Sequence, residues 1–463
     1  MKKYLAFFLA CLLLFVAACQ KLPPVDNGGS TSGGTEQPGG NTEQPGGNTE
    51  QPGGNTEQPG GNTEQPGGNT EQPGGNTEQP GGNTDNPGNA GNSGSGTGQN
   101  PGGYIPSKPS EFPNAVTIRI TAVGDNLLHD SVSYSAQMPD GSFDYSVLYT
   151  KVADVFRGSD IAFLNQEVML TGQVSAYPSI AAKAECADAL KALGFNVINL
   201  ATNHTLDKGV SGLETCLQNI HARNFDAVTG AFRTEDESKT QIILEKQGIR
   251  FGFLAYTYGI NGSGLPAGKK WMVAKIDEEK MRAEVAALRK ECDYLIVSMH
   301  WGQEYQNTQN STQEKQAKLL AELGVDLVIG SHPHVLQPAK WYDRPDGGTM
   351  YCTYSLGNFI SNQRKWSTML GGILDMTLEF DTNTGALMSV KDAGIIPTVT
   401  HYNYYTTSDG FITRDHEVLL LEDYTEDRAA AHGIKNWAGE LSLSWLKKHA
   451  AGILGEHQRA WAK

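Results

Sequence analysis

Six side chains of the kinds that bind divalent metal ions follow short apolar runs in the central part of this chain. They comprise two carboxylates, one carboxamide and three imidazoles: Asp125, Glu167, Asn203, His300, His332 and His334. Oxygen and imidazole nitrogen ligands together suit first-row divalent metals. Each residue alone is ordinary, because an Asp after a strand often caps a helix. The repeated placement after apolar runs is what indicates a shared site.

The runs before these residues have the length of buried strands. They occupy residues 116–123, 161–164, 197–201, 295–299 and 326–329. Segments with helical periodicity lie between them, and two further stretches, 241–254 and 372–390, alternate as hairpins do. This pattern predicts an α/β fold with two packed sheets and helices outside. Because ligands bind beyond the carboxyl ends of the strands in such sheets, we expect the six side chains to converge there.

The candidate ligands fall within a set of short motifs. These are Gly124-Asp125, Asn165-x-Glu167, Asn203-His204-x-x-Asp207-x-Gly209, His300-Trp301-Gly302-x-Glu304, His332-Pro333-His334-Val335 and Ser355-Leu356-Gly357-Asn358-Phe359. In order and spacing the set resembles the CapA-type capsule-synthesis proteins, which are linked to bacterial poly-γ-glutamate production. The resemblance covers roughly residues 118–360. It implies kinship with the calcineurin-like metallophosphoesterases and a four-layer α/β/β/α sandwich of the metallophosphatase type.

The resemblance also implies which residues would hold metal. A first position would take Asp125, Glu167 and His334, and a second would take Glu167, Asn203, His300 and His332, with Glu167 bridging the two. The metallophosphoesterase pattern has a His two residues after its first Asp, where this chain has Leu127. His129 lies two residues further on and is a weaker candidate. We therefore expect a divalent ion, Mn, Zn or Fe, with one firmly bound ion favoured over two.

Three more residues have implied roles around the metal positions. His204 would protonate the leaving oxygen as a general acid. Asp207 would orient that imidazole, although a simple turn explains Asp207 and Gly209 equally well. Glu304 would orient a ligating imidazole through a hydrogen bond outside the metal's own ligands. His204 and Asp207 are thus the predicted catalytic residues.

The N-terminal part has the composition of a targeting segment and a tether. Residues 1–18 begin with Lys2 and Lys3 and continue as an apolar stretch, as in a signal peptide. Small residues precede Cys19 in a sequence that resembles a bacterial lipobox. We therefore expect an exported lipoprotein, anchored in a membrane through a lipid on Cys19 and held on the outer side of the cell envelope. Residues 19–113 contain seven TEQPGGN repeats, which predict a flexible, disordered linker.

The remaining residues are predicted to form a CapA-like domain at residues 114–400 and a partly helical C-terminal extension at residues 401–463. In this extension, helical periodicity places Trp437, Leu441, Trp445 and Leu446 on one stripe. The cysteines of residues 114–463 show no CxxC spacing, and disulfides or buried free thiols both stay open. They are Cys186, Cys216, Cys292 and Cys352. The whole chain carries a formal net charge of −15 and no basic run, which argues against a nucleic-acid partner.

These features favour a cell-surface lipoprotein with a metal-dependent hydrolase or transferase site that acts on an envelope polymer or a phosphoester. The alternative is a non-catalytic envelope factor for polymer export or tethering, with a vestigial metal site, and enzymatic activity stays open between the two. Other capsule-synthesis proteins are candidate partners. A polymer rich in carboxylates would need local positive charge on this acidic domain. Arg364 and Lys365 are candidates for it, although a solvated loop explains them as well.

Overall fold

The computed structural model describes residues 114–262, 264–408 and 410–461. All of them belong to one compact unit, residues 95–463. The predicted signal peptide, the lipid site Cys19 and the repeat linker lie outside the described residues. Of the helices that are described, none is both long enough and apolar enough to cross a membrane.

Strands and helices alternate through most of this unit. The strands that the described residues form are β1 (Ala115–Asn126), β2 (Ile161–Asn165), β3 (Met169–Leu170), β4 (Ala181–Ala182), β5 (Val197–Asn199), β6 (Ala227–Thr229), β7 (Ile242–Lys246), β8 (Ile249–Thr257), β9 (Tyr294–His300), β10 (Leu327–Ser331), β11 (Ala339–Asp343), β12 (Thr349–Thr353), β13 (Asn358–Ile360), β14 (Leu370–Asp381), β15 (Leu387–Thr407) and β16 (Gly410–Leu420). The helices are α1 (Asp130–Ser135), α2 (Ala153–Phe156), α3 (Glu185–Leu193), α4 (Gly209–His221), α5 (Glu235–Lys239), α6 (Glu278–Leu288), α7 (Ser311–Glu322), α8 (Glu426–Ala431), α9 (Lys435–Ala438) and α10 (Leu443–Leu454).

The strands assemble into two large mixed sheets and one small one. The first large sheet has eight strands in the order β16-β15-β14-β1-β2-β5-β6, with β13 paired to β1. In it β1, β2, β5 and β6 are parallel, and β14, β15 and β16 add antiparallel strands. The second large sheet has the order β11-β12-β10-β9-β8-β7, with β8, β9, β10 and β12 parallel. The parallel strands of both sheets carry the predicted motifs at their carboxyl ends.

The two large sheets pack face to face over a common apolar core. Ile120 and Phe163 of the first sheet share this core with Phe253 and Ile296 of the second. The ring centroids of Phe251 in β8 and Phe380 in β14 lie 5.7 Å apart and nearly perpendicular. Inward and outward side chains alternate along β1, as the pleat of a strand requires, so the same strands also serve a second core on their other face.

Helices cover the outer face of each large sheet. On the first sheet, Leu190 of α3 and Leu213 of α4 share a buried cluster with Leu164 of β2. On the second sheet, Met281 of α6 and Leu320 of α7 share a cluster with Val297 of β9. The layers are therefore helix, sheet, sheet and helix, and the predicted four-layer α/β/β/α sandwich is confirmed.

The C-terminal part continues the first sheet before it turns helical. The domain boundary predicted at residue 400 falls inside β15, which runs unbroken to Thr407 and pairs with β16. The tail then forms three short helices, so Trp437 and Trp445 lie on different helices and not on one stripe. Gly439, with φ at +79°, separates the last two of them. Leu446 is fully buried in the core between the sheets.

The four cysteines of the described residues are buried and free, which answers the question that their spacing left open. Burial raises the pKa of both Cys186 and Cys216 to about 12. A thiol that stays protonated is a poor nucleophile and a poor metal ligand. These thiols act as small apolar groups in the cores.

Candidate metal centre

The predicted ligands lie together at the carboxyl ends of strands from both large sheets. From the first sheet come Asp125 in β1, Glu167 just after β2 and Asn203 after β5; from the second come His300 at the end of β9, and His332 and His334 after β10. Each of the six side chains is buried, with at most 3% of its surface exposed. Segments that are far apart in sequence therefore meet at one edge, where the two sheets face each other.

The Asp125 carboxylate is hydrogen-bonded to three other residues of this cluster. His334 Nδ1 lies 2.9 Å from Asp125 Oδ2, and Asn165 Nδ2 donates to Asp125 Oδ1 at 2.8 Å. The backbone N–H of His332 also donates to Asp125 Oδ1, at 3.2 Å. Burial opposes ionisation of Asp125, but the hydrogen bond and the electrostatic attraction of His334 hold the pKa of this carboxyl well below its usual range. Asp125 is therefore a carboxylate around which the loop after β10 is ordered.

Glu167 lies between two imidazoles. Its Oε1 is 3.5 Å from His300 Nε2 and 3.9 Å from His334 Nε2, while its Oε2 accepts a hydrogen bond from Asn165 Nδ2 at 3.3 Å. Burial and the nearby negative charge of Asp125 raise the pKa of Glu167 well above its usual range.

The imidazole of His300 is fixed through both of its nitrogens. Nε2 lies 2.7 Å from Asn203 Oδ1, and Nδ1 lies 2.9 Å from Ser331 Oγ. Burial and the neighbouring His332 lower the pKa of His300 well below its usual range. Burial also lowers the pKa of His332, to about 3. Both rings are therefore neutral near pH 7, which is the form that binds metal.

The residues present fit a divalent cation. Glu167 Oε1 and His332 Nδ1 are buried and have no hydrogen-bond partner in the described part of the chain. A buried polar atom without a partner costs free energy, so such atoms are rare unless a water or an ion satisfies them. Two carboxylates, one amide oxygen and three imidazoles make the donor set that suits Mn, Fe or Zn.

The ligand atoms group differently from the predicted division into two positions. Asp125, Glu167 and His300 offer atoms that lie within 4.8 Å of one another, and so do Glu304, His332 and His334. Glu304, expected to support a ligand from outside, thus lies among the candidate ligands themselves. The loop that carries it is fastened to the His332 loop, because Tyr305 N donates to the carbonyl oxygen of Pro333 at 2.8 Å.

The predicted catalytic pair lies at the edge of this cluster. His204 Nδ1 is 2.7 Å from Asp207 Oδ2, and the backbone N–H of Ile180 donates to the same oxygen at 2.8 Å. Both residues line a cavity of about 680 Å³ together with Asn203 and Tyr258. With Nδ1 held by Asp207, the Nε2 atom of His204 is left for a bound molecule.

The backbone around the centre is tightly constrained. A Cβ atom on Gly124 would lie 2.0 Å from the carbonyl oxygen of Gly357, which explains the Gly before Asp125. His332, His334 and Tyr305 all have positive φ values, of +93°, +59° and +66°. Positive φ costs free energy in residues other than Gly and tends to concentrate at functional sites. The backbone of both histidines that follow β10 is therefore held in a conformation that residues other than Gly rarely adopt.

Sequence reasoning gave no role to several residues that build the site. Asn165 bridges the two carboxylates, and Asn199 Nδ2 donates to Asn165 Oδ1 at 2.7 Å. Ser331 holds His300, and the ring of Tyr258 lies 4.4 Å from that of His332. Polar residues at the ends of two adjacent apolar strands were the available signal for Asn165 and Asn199. Nothing in the sequence pointed to Tyr258.

The position expected to hold a further imidazole is apolar. Leu127 is 2% exposed and belongs to the core between the first sheet and its helices. His129 does not join either candidate ligand group; its Nδ1 lies 3.3 Å from the backbone nitrogen of Asn362. Neither candidate ligand group of the described residues therefore includes an imidazole from the segment after β1.

The sequence matches a family and two curated relatives. The family model described as "Bacterial capsule synthesis protein PGA_cap" matches residues 119–363. The chain is 30% identical over 263 residues to the "PGA biosynthesis protein CapA" of Bacillus subtilis (strain 168), covering 54% of this chain and 67% of that protein. It is 29% identical over 188 residues to the "Capsule biosynthesis protein CapA" of Bacillus anthracis, covering 40% of this chain and 44% of that protein.

Solved structures with a related arrangement include phosphoesterases. The calcineurin-like phosphoesterase YfkN of Bacillus subtilis matches with a TM-score of 0.38 and 14% identity, covering 73% of this chain and 98% of that chain. The NAD nucleotidase NadN of Haemophilus influenzae matches with a TM-score of 0.40 and 12% identity, covering 75% of this chain and 58% of that chain. The layer order of the present chain rests on its own sheets and cores.

Proposed function

Because the chain belongs to the bacterial capsule synthesis protein PGA_cap family, we propose that it is a cell-surface lipoprotein with a metal-dependent hydrolase or transferase site. The site would act on an envelope polymer or a phosphoester. One observation carries this proposal. Glu167 Oε1 and His332 Nδ1 are buried ligand atoms with no hydrogen-bond partner among the described residues, and they lie within a cluster of carboxylates and imidazoles.

The residues that would hold the metal are those already described. They are Asp125, Glu167, Asn203, His300, His332 and His334, with Glu304 as an additional candidate. A divalent cation at such a site supplies a water of lowered pKa and stabilises negative charge on a substrate oxygen. The absence of an imidazole at Leu127 favours one firmly bound ion over two.

Residues of the chain itself would handle the proton of the leaving group. His204 lines the cavity of about 680 Å³, and an imidazole there can donate a proton to the leaving oxygen as the bond breaks. Asp207 holds the opposite nitrogen of the ring at 2.7 Å. This hydrogen bond fixes the ring orientation.

The proposal places the site outside the membrane on a long tether. Cys19 would carry the lipid, and the repeats of residues 19–113 would let the folded unit reach material away from the bilayer. The names of the relatives support a polymer of the capsule, and poly-γ-glutamate in particular, as the material handled. Partners among other capsule-synthesis proteins belong to the same proposal.

Metal content and hydrolysis together test the proposal. The purified full-length protein should contain a divalent metal and hydrolyse generic phosphodiesters or γ-linked glutamate polymers. His300→Ala should lose both properties. The matched control is His401→Ala, because His401 is also buried but binds Tyr424 far from the ligand cluster. A wild-type protein that binds no divalent metal under any condition would refute the proposal.

The second candidate is a non-catalytic factor for polymer export or tethering. The buried Leu127, where the metallophosphoesterase pattern has an imidazole, favours it. This candidate predicts that cells carrying His204→Ala produce as much polymer as wild-type cells. Loss of polymer from such cells, with the variant folded and exported normally, would exclude this candidate.

A further inference from the structure

Two exposed cations lie close to the metal centre without a carboxylate partner. Arg364 and Lys365 follow β13, and both side chains are exposed. Among the described residues neither cation takes part in an ion pair, unlike Arg250, which pairs with Asp293. What distinguishes this pair is its contact with aromatic rings next to the metal centre.

Each of these cations is held against an aromatic ring. The Arg364 guanidinium lies 4.4 Å from the ring centroid of Trp437, and Lys365 Nζ lies 3.6 Å from that of Tyr305. Cation–π contacts fix a charged group in place and leave its hydrogen-bond donors free. Both groups are therefore preorganised and available to an anion.

Tyr305 connects Lys365 to the metal centre. The Tyr305 ring lies 6.3 Å from the ring of His334, and its positive φ holds it there. Gln363 Nε2 donates to the Tyr305 hydroxyl at 3.4 Å, and Gln363 Oε1 accepts from Asn358 Nδ2 at 2.9 Å. The segment with the two cations is thus tied to the motif that supports the His334 loop.

The neighbouring acid does not neutralise this pair. Glu304 precedes Tyr305, but its carboxylate lies within 4.8 Å of the His332 and His334 nitrogens. It forms no ion pair with Lys365 in the described part of the chain. Lys365 therefore keeps its positive charge on the His334 side of the centre, while the cavity on the His204 side is lined by the acids Asp207 and Glu304 and by no Lys or Arg among the described residues.

We infer that Tyr305, Arg364 and Lys365 form an anion subsite that binds a carboxylate or phosphate group of the substrate beside the metal centre. The inference rests on the proposed function and adds the substrate's charge and the side from which it reaches the metal. Arg364 offers a planar fork of donors to one anion, and Lys365 offers a compact charge to another. A polyanion would lie across both cations and present its adjoining bond to the metal.

The double variant Arg364→Gln/Lys365→Gln tests the anion subsite in the full-length protein. Binding of fluorescent poly-γ-glutamate, of polyphosphate and of neutral dextran is measured by anisotropy at low and high salt. Because two exposed charge contacts are lost, the Kd for the polyanion should rise by about 2- to 30-fold at low salt. The difference should shrink at high salt. Loss confined to poly-γ-glutamate or to polyphosphate identifies a carboxylate or a phosphate as the bound group.

The control variant is Lys340→Gln. Lys340 also lies over an aromatic ring, that of Tyr342 at 4.9 Å, but on β11 at the edge of the second sheet. An equal loss of binding in Lys340→Gln, an unchanged Kd in the double variant, or a wild type that binds neither polyanion overturns the inference. Metal analysis of the same samples separates the two proposals. A protein without metal that still loses polyanion binding in the double variant would refute the hydrolase and retain the anion subsite.

Discussion

Replacing Glu167 by Gln should stabilise the metal-free protein and weaken the metal-bound one. Glu167 Oε1 is buried without a hydrogen-bond partner, and burial together with the charge of Asp125 raises the pKa of this carboxyl. The neutral amide removes the charge and places a donor 3.9 Å from His334 Nε2.

The magnitude follows from the loss of a buried, unpaired group. Such a group costs about 1–3 kcal/mol, so Glu167→Gln should raise the unfolding free energy of the metal-free protein by about that amount. Each kcal/mol corresponds to at most roughly 2–4 °C in Tm for a unit of this size. Conversely, metal at a hundredfold excess over its Kd adds about 2.7 kcal/mol to the unfolding free energy of the wild type. The unfolding free energy of the variant should rise far less.

The pH dependence of this effect has a definite sign. A carboxyl group with a raised pKa in the folded state contributes stability below its unfolded pKa, about 4.3, and that stability is lost as pH rises. In the presence of a chelator, the difference in unfolding free energy between Glu167→Gln and the wild type should therefore grow between about pH 4.5 and neutral pH. Thermal unfolding with EDTA and with added Mn²⁺ measures both parts. A variant that is less stable than wild type in both conditions would contradict the reasoning.

Three further predictions concern acid catalysis, packing and acid stability. His204→Ala should lower hydrolysis of substrates with poor leaving groups by about 10²–10⁴-fold with metal content unchanged; equal loss for activated esters would argue against a proton-donating role. Gly124→Ala should cost about 3 kcal/mol in urea unfolding, because its Cβ would overlap the Gly357 carbonyl oxygen; an unchanged midpoint would contradict the geometry. Burial lowers the pKa of His401 from 6.5 to about 4. The contribution of the neutral ring to the free energy of unfolding is therefore complete above pH 6.5, and about 3 kcal/mol of it is lost as the pH falls to 4. His401→Gln, which keeps a partner for Tyr424, should flatten that slope in unfolding measured across this range.

The parallel strands of both large sheets were accessible to sequence reasoning. Their apolar runs are short and continuous because both faces are buried, and each ends in a polar motif. The end of α3 at Gly194, with φ at +103°, also followed from local sequence. The order of elements and the layer type could therefore be predicted together with the family resemblance.

Features that depend on pairing between distant segments were not predictable in the same way. The continuation of β15 and its pairing with β16 past residue 400 depend on a sheet edge that local patterns do not reveal. The breaks in the C-terminal helical segment needed the knowledge that Gly439 adopts a positive φ. Local periodicity alone placed Trp437 and Trp445 on one helical stripe.

The composition of the candidate site was predictable, but its internal arrangement was not. The types and order of the six ligands point to convergence, because each follows a strand. Which ligands face one another depends on rotamers and on the loop from Gly302 to Tyr305, whose backbone bond to Pro333 brings Glu304 to the histidines. The anchor at Cys19 and the roles of the site residues stay predictions.

Elemental analysis of the purified full-length protein is the most direct test of the central claim. The account predicts a divalent metal at about one ion per chain in the wild type and its loss in His300→Ala, with His401→Ala retaining it. Equal metal content in the wild type and His300→Ala, or no metal in any preparation reconstituted with Mn²⁺, Fe²⁺ or Zn²⁺, would contradict it.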